Sequence, residues 1–74
     1  MLFLNIMKVK AYIDKDKKSL EVELEDNATI KDMLKKININ PVTVIVSRDN
    51  NIILEDENLK DNDKIKLISV ISGG

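Results

Sequence analysis

The sequence predicts a small α+β domain, a mixed β-sheet packed on one main helix. Two segments near the start alternate apolar and polar residues, the mark of half-buried strands. One segment then switches to helical spacing, and aliphatic, β-branched strand patterns return after it. A hairpin, a helix crossing one face and a strand returning beyond it suit one helix on one sheet.

Each element follows in order. Met7, Val9, Ala11 and Ile13 alternate with Lys8, Lys10 and Tyr12, so one face of the first strand is apolar. DKDKK (14–18) reads as a solvated, charged turn. Leu20, Val22 and Leu24 then alternate with Ser19, Glu21, Glu23 and Glu25, completing a hairpin. Ile30, Met33, Leu34 and Ile37 fall at i, i+3, i+4 and i+7, an apolar helical stripe. Thr29 is placed to cap that helix, with Asp32 as the answering half of a capping box and Lys35 and Lys36 at its negative end. NINP (38–41) is expected to stop the helix, because Pro41 disfavours helical geometry at Asn40. VTVIVSR (42–48) reads as an interior strand and DNN (49–51) as a turn. Ile52–Leu54 is a short strand, 55–63 an acidic loop and turn, and KIKLISVI (64–71) the last strand.

Composition narrows the function. The 74 residues, 43% hydrophobic and 34% charged, make one globular domain, 1–74, near the lower limit for a single core. Phe3 and Tyr12 are its only aromatics, so the core is aliphatic. A net charge of −1 with no basic, aromatic-interleaved segment argues against nucleic-acid binding. The absence of Cys and His removes disulfides, Cys/His zinc sites, thiol nucleophiles and a histidine base, so an enzyme is not expected. The reducing cytoplasm is the expected compartment. MLFLNI (1–6) is too short for a membrane span or a signal-peptide core. Either translation starts at Met7 and residues 1–6 are an upstream extension, or Leu2, Phe3 and Leu4 lengthen the first strand or cover a core edge.

Four features are candidates for chemistry. Glu55, Asp56, Glu57, Asp61 and Asp63 lack calcium-loop spacing and read as a solvated loop, with no metal site expected. Glu21, Glu23 and Glu25 form one acidic strand face, solvent-facing or matched to a basic groove. With Ile65 and Leu67 turned inward, Lys66, Ile68 and Val70 face outward as a docking patch, unless residues 1–6 fold over them. The fourth is the ending, VISGG. About five glycines are expected in a chain of this length, yet the two present are Gly73 and Gly74. Lacking Cβ atoms, they can thread a narrow channel and carry a carboxylate into another protein's active site.

DNDKIKLISVISGG (61–74) resembles the closing segment of the ThiS/MoaD sulfur carriers: an acidic turn, an aliphatic strand and a terminal Gly-Gly. It is more similar to the thiamin-type than to the molybdopterin-type ending, and KVKAYI, TIKDMLKKI and VIVSRDN also fall in the family order. The resemblance covers residues 7–74. It implies a ubiquitin-like β-grasp carrier that binds no cofactor itself. Its partner would be an adenylating enzyme related to ubiquitin-activating enzymes, using ATP and magnesium. Gly74 would bear the adenylate and then the thiocarboxylate, with Gly73 and Ser72 as the slender approach. A sulfur donor and a sulfur-accepting synthase or target would complete the partners, with no nucleic acid or membrane among them. Asn62 stands where many members have glycine, which requires a left-handed backbone there; Ser72 replaces a common alanine. A ubiquitin-like modifier joined to lysines through Gly74 is the alternative, and a non-covalent interaction module the third reading.

Overall fold

The computed structural model describes residues 6–70. In chain order the strands are β1 (Ile6–Ile13), β2 (Lys18–Glu25), β3 (Val44–Arg48), β4 (Asn51–Ile53) and β5 (Lys64–Ser69). Helix α1 (Ile30–Lys36) and a 3₁₀ turn (Pro41–Thr43) lie between β2 and β3. The sheet order is β2-β1-β5-β3-β4. β1 and β5 pair in parallel at the centre, with Ala11 beside Ile65 and Ile13 beside Leu67; the other neighbours are antiparallel. This is the ubiquitin-like β-grasp arrangement.

Alternation puts Met7, Val9, Ala11, Val22, Leu24, Val46, Ile65 and Leu67 on one sheet face, all buried. Against it lie Ile30, Met33 and Leu34, each with no exposed surface. Full burial of such aliphatic side chains contributes about 1.5–3 kcal/mol apiece. Leu59, in the loop before β5, closes the core beside them.

Both helix ends are specified locally. The Asp32 N–H donates to Thr29 Oγ1 at 3.3 Å, and the Thr29 N–H donates to Asp32 Oδ2 at 2.9 Å, so the expected capping box forms. The backbone hydrogen bond from Thr29, above all, holds the Asp32 carboxyl below its ordinary pKa of 3.8; the Thr29 side chain adds to this. The other end corrects the sequence expectation. Asn38, not Pro41, stops the helix: its φ is 62°, its N–H donates to Lys35 O at 3.2 Å, and the Ile39 N–H donates to Leu34 O at 2.8 Å. Those two bonds satisfy the last carbonyls as a left-handed cap does. Pro41 instead opens the 3₁₀ turn, which Asn40 Oδ1 caps by accepting from the Val42 N–H at 3.1 Å.

Among the described residues, Lys17, Asn27, Asn38, Asp49, Asn50 and Asn62 have positive φ, and no glycine does. Asn and Asp tolerate this region because their short polar side chains bond locally. Asp49 and Asn50, with φ of 53° and 66°, form the two-residue β3–β4 hairpin turn with the twist such hairpins need. Asn62, at 68°, takes the backbone expected of it.

Two expectations follow. Lys17→Asn should raise the urea midpoint, with a gain of about 0.5 kcal/mol, because Lys lacks the local bonding that eases φ of 49°. Thr29→Ala should cost about 1 kcal/mol at neutral pH. Because the folded pKa of Asp32 is depressed, its contribution is present above the unfolded value of 3.8 and lost as pH falls through the folded one. Urea titrations across that range should therefore show a shallower acid loss in the alanine variant than in the parent.

Candidate functional site

The helix covers only one face of the sheet, and the register assigns the side chains of the other. Across all five strands one row reads Ser19, Tyr12, Lys66, Ser47, Ile52. The neighbouring row toward the start of β1 reads Glu21, Lys10, Lys64, and beyond it Glu23 stands opposite Lys8. In the other direction Ile68 stands opposite Ile45, and the Val70 N–H donates to Thr43 O at 3.0 Å. The open face is thus striped: acidic on β2, basic on β1 and β5, apolar on β3, β4 and the end of β5.

Lys66, Ile68 and Val70 lie where the sequence put them. Ile65 and Leu67 are buried, Lys66 is exposed, Ile68 half-buried and Val70 46% exposed. The patch is larger than these three. Among the described residues, the exposed large hydrophobics Val42, Ile45, Ile52 and Leu54 join Val70 on the β3–β4 side, and only Ile6 lies elsewhere. Sequence reasoning missed them, although in the β-branched run 42–48 the polar Thr43 and Ser47 share the phase of Ile45 and so mark its side as the outward one. Val42 also departs from the strand expected there, sitting in the 3₁₀ turn and 80% exposed. The tail residues Ser72, Gly73 and Gly74 lie outside the described residues, as do 1–5.

Ile13 is level with Leu67, and the strands are parallel, so Ile6 and Val70 are at opposite ends of the sheet. The alternative in which the start of the chain folds over the patch falls on residues 1–5, outside the described residues.

The acidic segment is more than a solvated loop. Asp63 Oδ2 accepts from the Lys60 N–H at 2.8 Å and from Arg48 at 3.1 Å, and Arg48 also meets Glu57 at 3.6 Å. Asp61 Oδ1 accepts from the Lys8 N–H at 2.9 Å, and the Asn62 N–H donates to Lys8 O at 2.8 Å. Ile30 and Lys31 donate to Glu57 O and Glu55 O at 3.0 and 2.8 Å, tying the loop to the start of α1. These bonds set the phase in which β5 enters the sheet, and so which of its residues face outward.

Comparison with known proteins now bears on the whole. The model of the ThiS family matches residues 9–74. The chain belongs to the ThiS family. Sulfur carrier protein TtuB of Thermus thermophilus is 30% identical over 54 residues, 73% of this chain and 83% of that protein. Among solved structures, Caldiarchaeum subterraneum ubiquitin superposes with a TM-score of 0.75 at 25% identity, over 95% of this chain and 100% of its own. SAMP1 from Haloferax volcanii shares the fold with a TM-score of 0.64 at 19% identity, over 95% and 100%. The family resemblance and the β-grasp fold expected from the sequence therefore hold, and this ThiS-family chain sits among sulfur carriers. No helix among the described residues is long and apolar enough to cross a membrane.

Asp63→Ala should lower stability by about 2 kcal/mol, since it removes the nearer of the two carboxylates that meet Arg48 and leaves the Lys60 N–H without its acceptor. Urea denaturation measures this, and a change under 0.5 kcal/mol would show the cluster to be ornamental.

Proposed function

We propose that this chain is a sulfur carrier activated at Gly74. The observation that carries the reading is where the glycines are. Six described positions adopt left-handed backbone and none is glycine, whereas residues 73 and 74 both are. Glycine is thus used where slenderness matters and not where the turns need it.

In the proposed cycle an adenylating enzyme related to ubiquitin-activating enzymes binds ATP and magnesium; this chain binds no cofactor. The Gly74 carboxylate attacks the α-phosphorus of ATP, releasing pyrophosphate and leaving an acyl-adenylate. Hydrosulfide supplied by a donor then attacks the Gly74 carbonyl carbon, AMP leaves, and loss of the S–H proton yields a thiocarboxylate. Gly73 and Ser72 give the tail a narrow profile, while Lys66, Ile68 and Val70 dock the domain. The thiocarboxylate delivers sulfur to a synthase of thiamin thiazole or of molybdopterin or tungstopterin, or to tRNA thiolation. The cycle belongs in the cytoplasm, and this chain itself contacts neither nucleic acid nor membrane. Membership of the ThiS family and the likeness to TtuB, a sulfur carrier protein by name, support this reading.

A second reading has its own support in the likeness to Caldiarchaeum subterraneum ubiquitin. On it, the activated Gly74 is attacked by a lysine amine of a target protein and an isopeptide bond forms.

The test is fragmentation mass spectrometry of the C-terminal peptide after incubation with the activating enzyme, ATP and a sulfur donor. Sulfur for oxygen adds about 16 Da, as does oxidation of any of the three methionines, so the gain must localise to Gly74. Localisation there is expected. A Gly74–lysine linkage would establish the modifier reading instead, and an unmodified tail under ATP-replete conditions would overturn both. Deleting Gly74 should abolish either modification and leave the urea midpoint unchanged, because an exposed terminus contributes little to stability.

A further inference from the structure

The lysines at the centre of the open face are placed at a cost to the fold. Lys10 and Lys64 stand directly beside one another on the parallel central strands, and Lys66 is the next residue of β5 on that face. Like charges side by side across strands destabilise a sheet. On β1, Lys10 faces Glu21 and Lys8 faces Glu23 on β2, though among the described residues neither pair closes to an ion pair. On β5 no carboxylate stands opposite: Lys64 lies beside Lys10, and Lys66 lies between Tyr12 and Ser47.

The rest of the charge runs the other way. The segments that connect the strands and the helix hold nine carboxylates against Lys15, Lys17 and Lys60. The chain as a whole is net acidic, so a lysine lane in mid-sheet is not a by-product of a basic composition. Beside that lane, on β3 and the end of β5, lies the apolar group Ile45, Ile68 and Val70.

We propose that Lys64 and Lys66 form the electrostatic half of the docking site. Its occupant is a protein surface with an apolar centre seated on Ile45, Ile68 and Val70, and with carboxylates along the side that meets β5. The inference rests on the carrier reading insofar as that partner is the adenylating enzyme. The partner's carboxylates relieve the Lys10–Lys64 repulsion, so the strain in the free sheet turns into an attraction on binding. The stripes also fix orientation. Turned end for end, the partner's carboxylates would meet the apolar group rather than the lysines, so the end of β5 is presented to the partner in one direction only. RNA phosphate is the weaker fit, since the lane is bordered by Glu21, Glu23 and Glu25 and a single aromatic, Tyr12.

The experiment measures association kinetics on the adenylating enzyme encoded in the same genome, with the chain lacking residues 73–74, so that no chemistry is required. The Lys64→Glu/Lys66→Glu double variant should associate at least about tenfold more slowly at low salt, and lose most of the parent's salt dependence. Dissociation should change much less. Ile68→Asp, acting on the apolar half, should instead raise the dissociation rate. Lys64→Glu places a carboxylate beside Lys10, so the urea midpoint of the double variant should not fall. Lys64→Gln/Lys66→Gln repeats the kinetic test without charge reversal and should give an intermediate association rate. Association rates indifferent to both double variants, or faster in the reversed one, would overturn the proposal. So would lysine-dependent capture of tRNA in a filter-binding assay. Adenylation of the full-length chain at saturating concentration is scored separately. Lysine-dependent docking without adenylate would sink the tail chemistry and keep this site, whereas adenylation with lysine-indifferent docking would do the reverse.

Discussion

The parallel pairing of β1 with β5 is the constraint on which the rest of this molecule depends. It brings the two ends of the described chain into adjacent central strands, with Ala11 beside Ile65 and Ile13 beside Leu67. Parallel neighbours cannot be joined by a tight turn, so everything from β2 to the acidic loop is the crossover between them. The helix within that crossover supplies Ile30, Met33 and Leu34, which bury the apolar face of the central pair. Remove the pairing and the sheet splits into the two-stranded β1–β2 ribbon, marginal by itself, and the three-stranded β5-β3-β4 piece, with the apolar face they share divided between them.

The same pairing decides the geometry of function. Because the strands are parallel and in that register, β5 ends on the side of the sheet where β1 turns into β2, a full strand length from Ile6. Because one helix is enough to cover one face, the other is left to display its stripes. The hydrogen bonds of Asp61, Asn62 and Asp63 to Lys8, Lys10, Lys60 and Arg48 then fix how β5 enters. A slip of one residue would bury Lys66 and expose Leu67. The loop that looked merely acidic is what keeps Lys64, Lys66 and Ile68 on the outside.

Much of this was legible before any coordinates. Alternation in 7–13 and 19–25 and the i, i+3, i+4 spacing of 30–37 are strong periodic signals, and they named most of the core. The capping box at Thr29 and Asp32 is local, and so is readable from four residues. What stayed hidden was set by partners far apart in sequence. Nothing near Ile45 says that its neighbour across the sheet is Ile68, and nothing near Asp63 says that it will hold Arg48. The helix does stop at NINP, but the residue responsible differs from the one expected. Proline is a conspicuous stop signal, but Asn38 had already stopped the chain by entering the left-handed region three residues earlier. In the candidate site, Lys66, Ile68 and Val70 were readable by alternation from Ile65 and Leu67, whereas the larger apolar group across β3 and β4 required the sheet order.

Filling turns with asparagine rather than glycine has a consequence for chemical durability. Asparagine ages when the backbone nitrogen of the following residue attacks its side-chain carbonyl, and this lability is one reason heat-adapted proteins use fewer of them. The reaction is fastest before glycine, and no asparagine in this chain precedes one. The attacking nitrogens are also engaged: the Ala28, Ile39 and Asp63 N–H groups, after Asn27, Asn38 and Asn62, donate to Glu25, Leu34 and Lys60 carbonyls. The hydrogen bonds that make these turns tight thus hold back the nucleophile that would degrade them, and the domain's shape and its shelf life rest on the same few contacts.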